Sequence, residues 1–512
     1  MFKKKIKTPF YALIVSLINV IFYNIPLFKF VYNNIEMSTF NGVLLMISFV
    51  ITAIILNLFV FYMGIYLLKI VGKWLLVILF NTSALCVYFV NNYGVLIDRS
   101  MIGNILNTSY GEASSFLSFS LILYVIFLGV IPSIFIYRLK YERVKLKTFL
   151  IHNFLLLVLL LLISYVNASN WLWIDQNSKK LGALVMPWSY VVNTVRFYDK
   201  KHKQHQKEII LQDAKITNDT KSIVVLVIGE SARSANFSLY GYDKNTNPLL
   251  SKIKDLHAYE AQSSATYTTA GVKAILDYKE SSDLNEILPN YLYRNGVEVI
   301  WRTTNWGEPN VNIKNYQDKN YLQKFHQGTD GDYDGVLLYK LKELILESKK
   351  NKILIVLHTS TSHGPTYFKK YPPEFEKFTP VCKSVELSKC TNQELVNAYD
   401  NTILYTDSLL TEVIENLKQL NEYNSAMIYV SDHGESLGEK NLYMHGIPLS
   451  IAPKEQFEIP FIVWSSDKSL QFKDPKMLSQ YNVFHSVLDF LEVESPIYNK
   501  NMSILKNNMQ DH

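Results

Sequence analysis

The sequence predicts two parts: a five-helix α-helical membrane domain over residues 1–168, and an α/β domain with a mostly parallel sheet over residues 221–512, joined by a connector at 169–220. Three observations carry this. Five long uncharged apolar stretches fill the N-terminal third. Short β-branched runs alternate with helical stretches after residue 221. The basic excess lies in the apolar third alone: residues 1–168 hold 13 Lys/Arg and 4 Asp/Glu, the remainder 38 and 41, for a net +6. A nucleic-acid-binding domain would carry its own basic face, so nucleic acid is excluded as a partner. At 512 residues the chain is too long for one core. A hydrophobic share of 49% and a mean hydropathy of +0.06 exclude disorder and coiled coil. Three cysteines exclude a disulfide-dense mini-domain and a four-cysteine zinc site.

The apolar stretches run from Phe10 to Phe28, Gly42 to Leu68, Trp74 to Val90, Leu117 to Tyr137 and Phe149 to Val166. Each approaches or exceeds the roughly 20 residues that span a bilayer as helix. Lys3, Lys4, Lys5 and Lys7, then Lys69 and Lys73, then Arg138, Lys140, Arg143, Lys145 and Lys147 fall on one side; the other two connections hold only Lys29 and Arg99. The positive-inside rule puts that first side, with the N-terminus, in the cytoplasm, and an odd number of spans puts everything after Val166 outside it. No small-residue cleavage site follows the first span, which reads as a span and not a signal peptide. In the connector, Trp171, Trp173 and Trp188 suit an interfacial stretch, and Lys200 to Lys207 is polar.

Beyond it, Ile223–Ile228 (IVVLVI), Ile353–Leu357 (ILIVL) and Ala426–Val430 (AMIYV) read as buried parallel strands, with Val297–Trp301 and Phe461–Trp464 as weaker ones. Tyr333–Ser348 and Leu395–Leu420 read as helices. Glu230-Ser231 follows the first strand. His358, then Ser362-His363-Gly364, follows the second. Asp432-His433-Gly434-Glu435 follows the third. Ligands of open α/β sheets bind beyond the carboxyl ends of the strands, so these groups imply one metal site on one rim. Carboxylates with neutral imidazole suit zinc, and also manganese. Glu230, Asp432 and His433 supply three ligands and leave a fourth position for a hydroxyl nucleophile, which metal coordination activates. Ser263 to Thr269 (SSATYTT) offers hydroxyls, and the residue pattern alone does not choose among them.

Val225 to Pro248, VLVIGESARSANFSLYGYDKNTNP, resembles the opening motif of the bacterial phosphoethanolamine transferases, membrane-anchored members of the alkaline phosphatase/sulfatase superfamily. LHTSTSHGPTYFKKYP (Leu357–Pro372), NAYDNTILYTD (Asn397–Asp407), SDHGESLGEKNLYMHGIP (Ser431–Pro448), and Asn482 and His485 in YNVFHSVLDFL continue the likeness in order. YGVLIDRSMIGNILNTSYGEA (Tyr93–Ala113) resembles the family's periplasmic loop after the third span. The likeness covers nearly the whole chain and is greatest to the epsilonproteobacterial branch.

The resemblance implies an inner-membrane enzyme with a periplasmic catalytic domain. It would move phosphoethanolamine from phosphatidylethanolamine to lipid A or another surface glycan or protein, releasing diacylglycerol. It implies that Glu230, Thr266, Asp432 and His433 bind one zinc, with room for a second. Thr266 is the implied nucleophile, although the family's SCGTAT reads SSATYT here. His363 and His445 would contact the phosphoryl group, bind a second metal or protonate a leaving oxygen, with His358 in the same pocket. Asn104, Thr108 and Glu112 would contact the ethanolamine lipid headgroup. Cys382 and Cys390 match one family disulfide, and Cys86 lies in the third span. No motif indicates oligomerisation, so a monomer is expected. The rivals are a transferase using phosphatidylglycerol, as in lipoteichoic acid synthesis, and a hydrolase with water as acceptor. The SHGP, YDN and SDHGESLGE segments favour the ethanolamine branch, and a threonine nucleophile disfavours a sulfatase.

Overall fold

The computed structural model describes residues 5–108, 110–167, 170, 173–174, 177–203, 208–325, 329–384 and 387–506. Lys3, Lys4, Trp171 and the 204–207 part of the polar run lie outside the described residues. The chain forms two compact units: Met1–Leu106 with Leu117–Lys200, and Asn107–Phe116 with Lys201–His512.

The first unit is helical: α1 (Thr8–Tyr23), α2 (Ile25–Asn33), α3 (Phe40–Leu68), α4 (Ile70–Tyr93), α5 (Arg99–Asn107), then, beyond the short α6 (Tyr110–Ser115), α7 (Phe119–Arg138), α8 (Leu146–Val166), α9 (Ser178–Leu184) and α10 (Trp188–Lys203). Helices α3, α4, α7 and α8 are each long and apolar enough to cross a membrane. The first expected span is instead a pair, α1 and α2, bent by 58° at Asn24. Pro26 has no N–H to continue the α1 ladder. The Asn24 carboxamide turns to Met186, accepting from its N–H at 2.9 Å and donating to its carbonyl at 3.0 Å. Breaks in membrane helices persist where side chains re-satisfy backbone in this way. The connector as far as Lys200 is built into the same unit. The Trp188 indole donates to Asn57 Oδ1 at 2.9 Å, and Asn57 donates to Asn19 Oδ1 at 2.9 Å. Tyr190 donates to the Leu79 carbonyl at 2.9 Å, and Asn193 to that of Ile97 at 2.9 Å. Asn57 lies well inside the 29-residue α3, so α10 starts among the helices.

The second unit is built on an eight-stranded sheet: β1 (Ser222–Gly229), β2 (Leu256–Gln262), β3 (Glu298–Thr303), β4 (Asn315–Gln317), β5 (Lys352–His358), β6 (Asn424–Ser431), β7 (Glu458–Ser465) and β8 (Leu478–Ser479), in spatial order β8-β2-β7-β6-β1-β5-β3-β4. Only β7 runs against the others. All five expected strands are present. The two-sided burial of β1, β5 and β6 explains their unbroken apolar runs. The alternating β2 and the short β4 and β8 carry no such run and escaped notice. The helix expected over Tyr333–Ser348 is a 3₁₀ turn (Asp334–Leu338) and a short helix (Leu341–Leu346), separated where Lys340 adopts φ 49°. The other expected helix extends over Asn392–Lys418 (α12), its start fixed by a capping box of Thr391 and Glu394. Between β2 and β3 lies α11 (Thr268–Leu276), and α13 (Asn482–Phe490) follows β8. Cys382 and Cys390 form a disulfide with Cα atoms 5.7 Å apart, and Cys86 is a buried free thiol.

Candidate active site

The register of the central strands builds the site. Gly229 on β1 is paired with Ser431 on β6, and Ile228 with His358 on β5, so the three strands end level. The next residues, Glu230 and Asp432, leave neighbouring strands side by side, and both are fully buried. Helix α11 reaches them because Gly271 lies against the Asp432 backbone. A Cβ there would stand 2.0 Å from the Asp432 carbonyl oxygen, so only glycine allows the approach. That contact places Thr268, the first residue of α11, on the carboxylates.

Four polar groups converge. His433 Nε2 lies 3.4 Å from Glu230 Oε1, 3.3 Å from Asp432 Oδ2 and 3.3 Å from Thr268 Oγ1. The Thr268 hydroxyl is also 3.4 Å from Glu230 Oε2. The other ring nitrogen, Nδ1, is 2.8 Å from the Gly434 carbonyl, which only an N–H can satisfy, so the lone pair is on Nε2. Burial pushes the His433 imidazole down to about 3, leaving it neutral and able to ligate. Asp432 Oδ1 accepts from the backbone N–H groups of Ser231 (3.0 Å) and His433 (2.7 Å), while Oδ2 is buried with no hydrogen-bond donor. Burial and the adjacent Glu230 push the Asp432 carboxyl well above the usual carboxylate range. Two buried carboxylates, one oxygen lacking a donor, and an imidazole lone pair facing both are a donor set that a divalent cation completes, and its N/O composition fits zinc. Glu230, His433 and His445 each offer one ligand atom within 4.8 Å of the others.

Thr266, the hydroxyl singled out from the sequence, is not in this group. It is buried, and its Oγ1 donates to the Ile447 carbonyl at 2.6 Å. Two residues on, where the chain turns into α11, Thr268 meets Glu230 and His433. Nothing in the composition of SSATYTT separates the two; the turn does.

Beside the first cluster lies a second. The His445 ring centroid is 4.2 Å from that of His433 and 5.4 Å from that of His363. His445 Nδ1 is 3.4 Å from Glu435 Oε2, and Glu435 Oε1 is buried without a donor. The structure thus brings Glu230, Asp432, His433, His363 and His445 together, and adds Thr268 and Glu435. Glu435 was visible only as part of the DHGE run, and it is fully buried. Asn305 was not visible: after β3 it donates to Glu230 Oε2 at 2.7 Å. His358, fully buried, lies one strand away, with Nδ1 3.3 Å from Thr303 Oγ1 and 3.5 Å from Glu308 Oε2. Asn104 lies on α5 and Thr108 directly follows it, both partly exposed; Glu112 lies on α6, with its side chain outside the described residues. His485, from the last matching motif, is structural: Nε2 is 2.8 Å from the Tyr278 carbonyl and Nδ1 accepts from the Asn499 N–H at 3.1 Å.

Residues 222–493 match the sulfatase family model, and residues 53–202 match that of the phosphoethanolamine transferases EptA/EptB. The chain is 38% identical over 512 residues to phosphoethanolamine transferase EptA of Helicobacter pylori, covering 97% of this chain and 96% of that one. It is 31% identical over 548 residues to EptA of Escherichia coli K12, covering 99% of each. The integral membrane lipooligosaccharide phosphoethanolamine transferase A of Neisseria meningitidis superposes with a TM-score of 0.89 at 26% identity, covering 98% of this chain and 99% of that one. Identity of 38% across 97% of its length, together with the family match over residues 53–202, shows that this chain belongs to the phosphoethanolamine transferase family.

Proposed function

We propose that this enzyme transfers phosphoethanolamine from phosphatidylethanolamine to lipid A or another surface acceptor, through a covalent intermediate on Thr268. The observation that carries this reading is the Thr268 hydroxyl, 3.3 Å from His433 Nε2 and 3.4 Å from Glu230 Oε2. Glu230, Asp432, His433 and Thr268 would hold one zinc; Glu435, His363 and His445 would either hold a second or, with none bound, leave the imidazoles free to move protons. Bound zinc would lower the pKa of the threonine hydroxyl and neutralise charge on the phosphoryl oxygens. Thr268 releases its hydroxyl proton to solvent and Oγ1 attacks phosphorus, the P–O bond to diacylglycerol breaks, and the leaving oxygen takes a proton from the imidazolium of His445 or His363. An acceptor hydroxyl then gives its proton to the same imidazole and attacks the phosphothreonine, the P–Oγ1 bond breaks, and the threonine oxygen regains a proton from solvent. As the first residue of α11, Thr268 also has the positive end of a helix dipole beside the phosphoryl anion.

Asn104, Thr108 and Glu112 would meet the ethanolamine headgroup, and His358 would support the pocket from the adjacent strand. The domain assignment at 1–168, 169–220 and 221–512 belongs to this reading, as do a cytoplasmic N-terminus, a periplasmic catalytic domain and a monomer. Both lipids stay in the bilayer, so the helical unit keeps the chemistry at the membrane.

The test is intact mass and peptide mapping of full-length, zinc-loaded protein after incubation with phosphatidylethanolamine. The expected result is a phosphoethanolamine adduct on Thr268, absent from Thr268→Ala. An adduct on Thr266 would overturn the nucleophile assignment. Diacylglycerol release without any adduct would mean direct transfer or hydrolysis. A glycerol phosphate adduct from phosphatidylglycerol would move the protein to the lipoteichoic-acid-type chemistry.

A further inference from the structure

Ser231 has a left-handed backbone, φ 52°, immediately after Glu230. This region strains a non-glycine residue and persists only where the surroundings over-determine it. Here every polar group of the residue is in use. Its N–H donates to Asp432 Oδ1 at 3.0 Å. Its hydroxyl donates to Glu230 Oε1 at 2.6 Å. Its carbonyl accepts from the Tyr399 hydroxyl at 2.7 Å. Its Oγ lies 3.4 Å from His445 Nδ1. An extended Ser231 would continue the line of β1 and lose the turn that aims the N–H at one carboxylate and the hydroxyl at the other. The side chain is completely buried yet contributes almost no apolar packing, so its conformation is held by the carboxylates and by Tyr399.

We propose that Ser231 is a positioning residue of the metal centre. Its strained turn fixes Glu230 and Asp432 relative to each other, and its hydroxyl links the Glu230 cluster to His445. This rests on the metal-centre reading above. It implies that the backbone strain at Ser231 is retained for the sake of the site: the residue that suits the backbone best, glycine, is wrong for the carboxylates. Partners of metal-ligating groups of this kind change metal affinity about 10–100-fold when removed.

The experiment uses detergent-solubilised full-length protein, stripped of metal, with zinc affinity read by competition against a chromophoric chelator and thermal midpoints read on the metal-free form. Ser231→Ala and Ser231→Gly should each weaken zinc binding about 10–100-fold. The metal-free Ser231→Gly protein should melt above Ser231→Ala, because glycine relieves the positive φ. A purely structural serine would not lower metal affinity in the variant that is the more stable of the two. Zinc affinity of Ser231→Ala within twofold of the parent would overturn the proposal, as would equal midpoints for the two variants. Glu230→Gln serves as the reference. If it loses zinc while Ser231→Ala keeps it, this inference alone fails. If Glu230→Gln itself keeps full zinc affinity, the metal-centre reading fails and takes this inference with it.

Discussion

Both units bury polar side chains, but in different surroundings. In the helical unit Asn19, Asn24 and Asn57 are at most 1% exposed, while Phe154, Leu161 and Leu162 stand on the outside at 66%, 70% and 54%. In the sheet unit the middle residues of β1, β5 and β6 are apolar, and buried charges occur at strand ends or in hydrogen-bonded networks. Asp400 is one such case: fully buried, it accepts from Asn236 (2.6 Å), Tyr242 (3.0 Å) and Lys244 (2.6 Å). The lesson concerns the reference state. A chain unfolded within lipid still finds polar partners, so a buried hydrogen bond there is worth about 0.6 kcal/mol and at most about 1.7. A buried ion stripped of its partner in the sheet unit has no such refuge.

The sharpest way to test that contrast is Asp400→Ala, which leaves the buried Asn236 amide and the Tyr242 hydroxyl without their acceptor and Lys244 without its counter-ion. Losing these hydrogen bonds to a charged group should cost about 3–5 kcal/mol, read as a large drop in the unfolding midpoint of the sheet unit. Next, Cys382→Ser opens a loop of eight residues' separation and should cost about 2–3 kcal/mol, matched by reduction of the parent protein. Asn24→Ala removes both bonds to the Met186 backbone and the bond to Asn19, yet should cost only about 1–2 kcal/mol because it lies in the helical unit. A loss as large as that of Asp400→Ala would break the comparison. The smallest effect is a pH dependence from His485, whose pKa burial lowers. A lowered histidine pKa means the unfolded chain binds the proton first. Its contribution is therefore present above the unfolded value, about 6.5, and is lost as pH falls from there toward the folded value. His485→Gln should flatten the midpoint-versus-pH curve below about 6.5 relative to the parent protein.

Much of this was legible in the sequence because the signals are long or repeated. Apolar stretches of span length cannot be read otherwise, and the continuous runs at Ile223, Ile353 and Ala426 report strands covered on both faces. The strand-end rule then located Glu230, Asp432 and His433. What failed was decided by single backbone angles or by partners far along the chain. The break at Asn24 depends on Met186, 162 residues away. The choice between Thr266 and Thr268 depends on where a helix begins and on Gly271 letting it dock. The helix expected over 333–348 was divided at one residue, Lys340. Ser231 was read as the residue after a ligand, because a hydroxyl's partners and a positive φ leave no mark in a run of letters.

The pairing of Gly229 with Ser431 has a consequence for when the centre comes into being. Ser231 and Asp432 are 201 residues apart, so the ligand set closes only after β6 has been made and has added to β1. A half-finished chain presents Glu230 and Thr268 without Asp432 and His433. On the metal-centre reading proposed above, an ion would therefore be acquired only once the sheet has closed, and the divalent metals available at that moment would decide which one is bound.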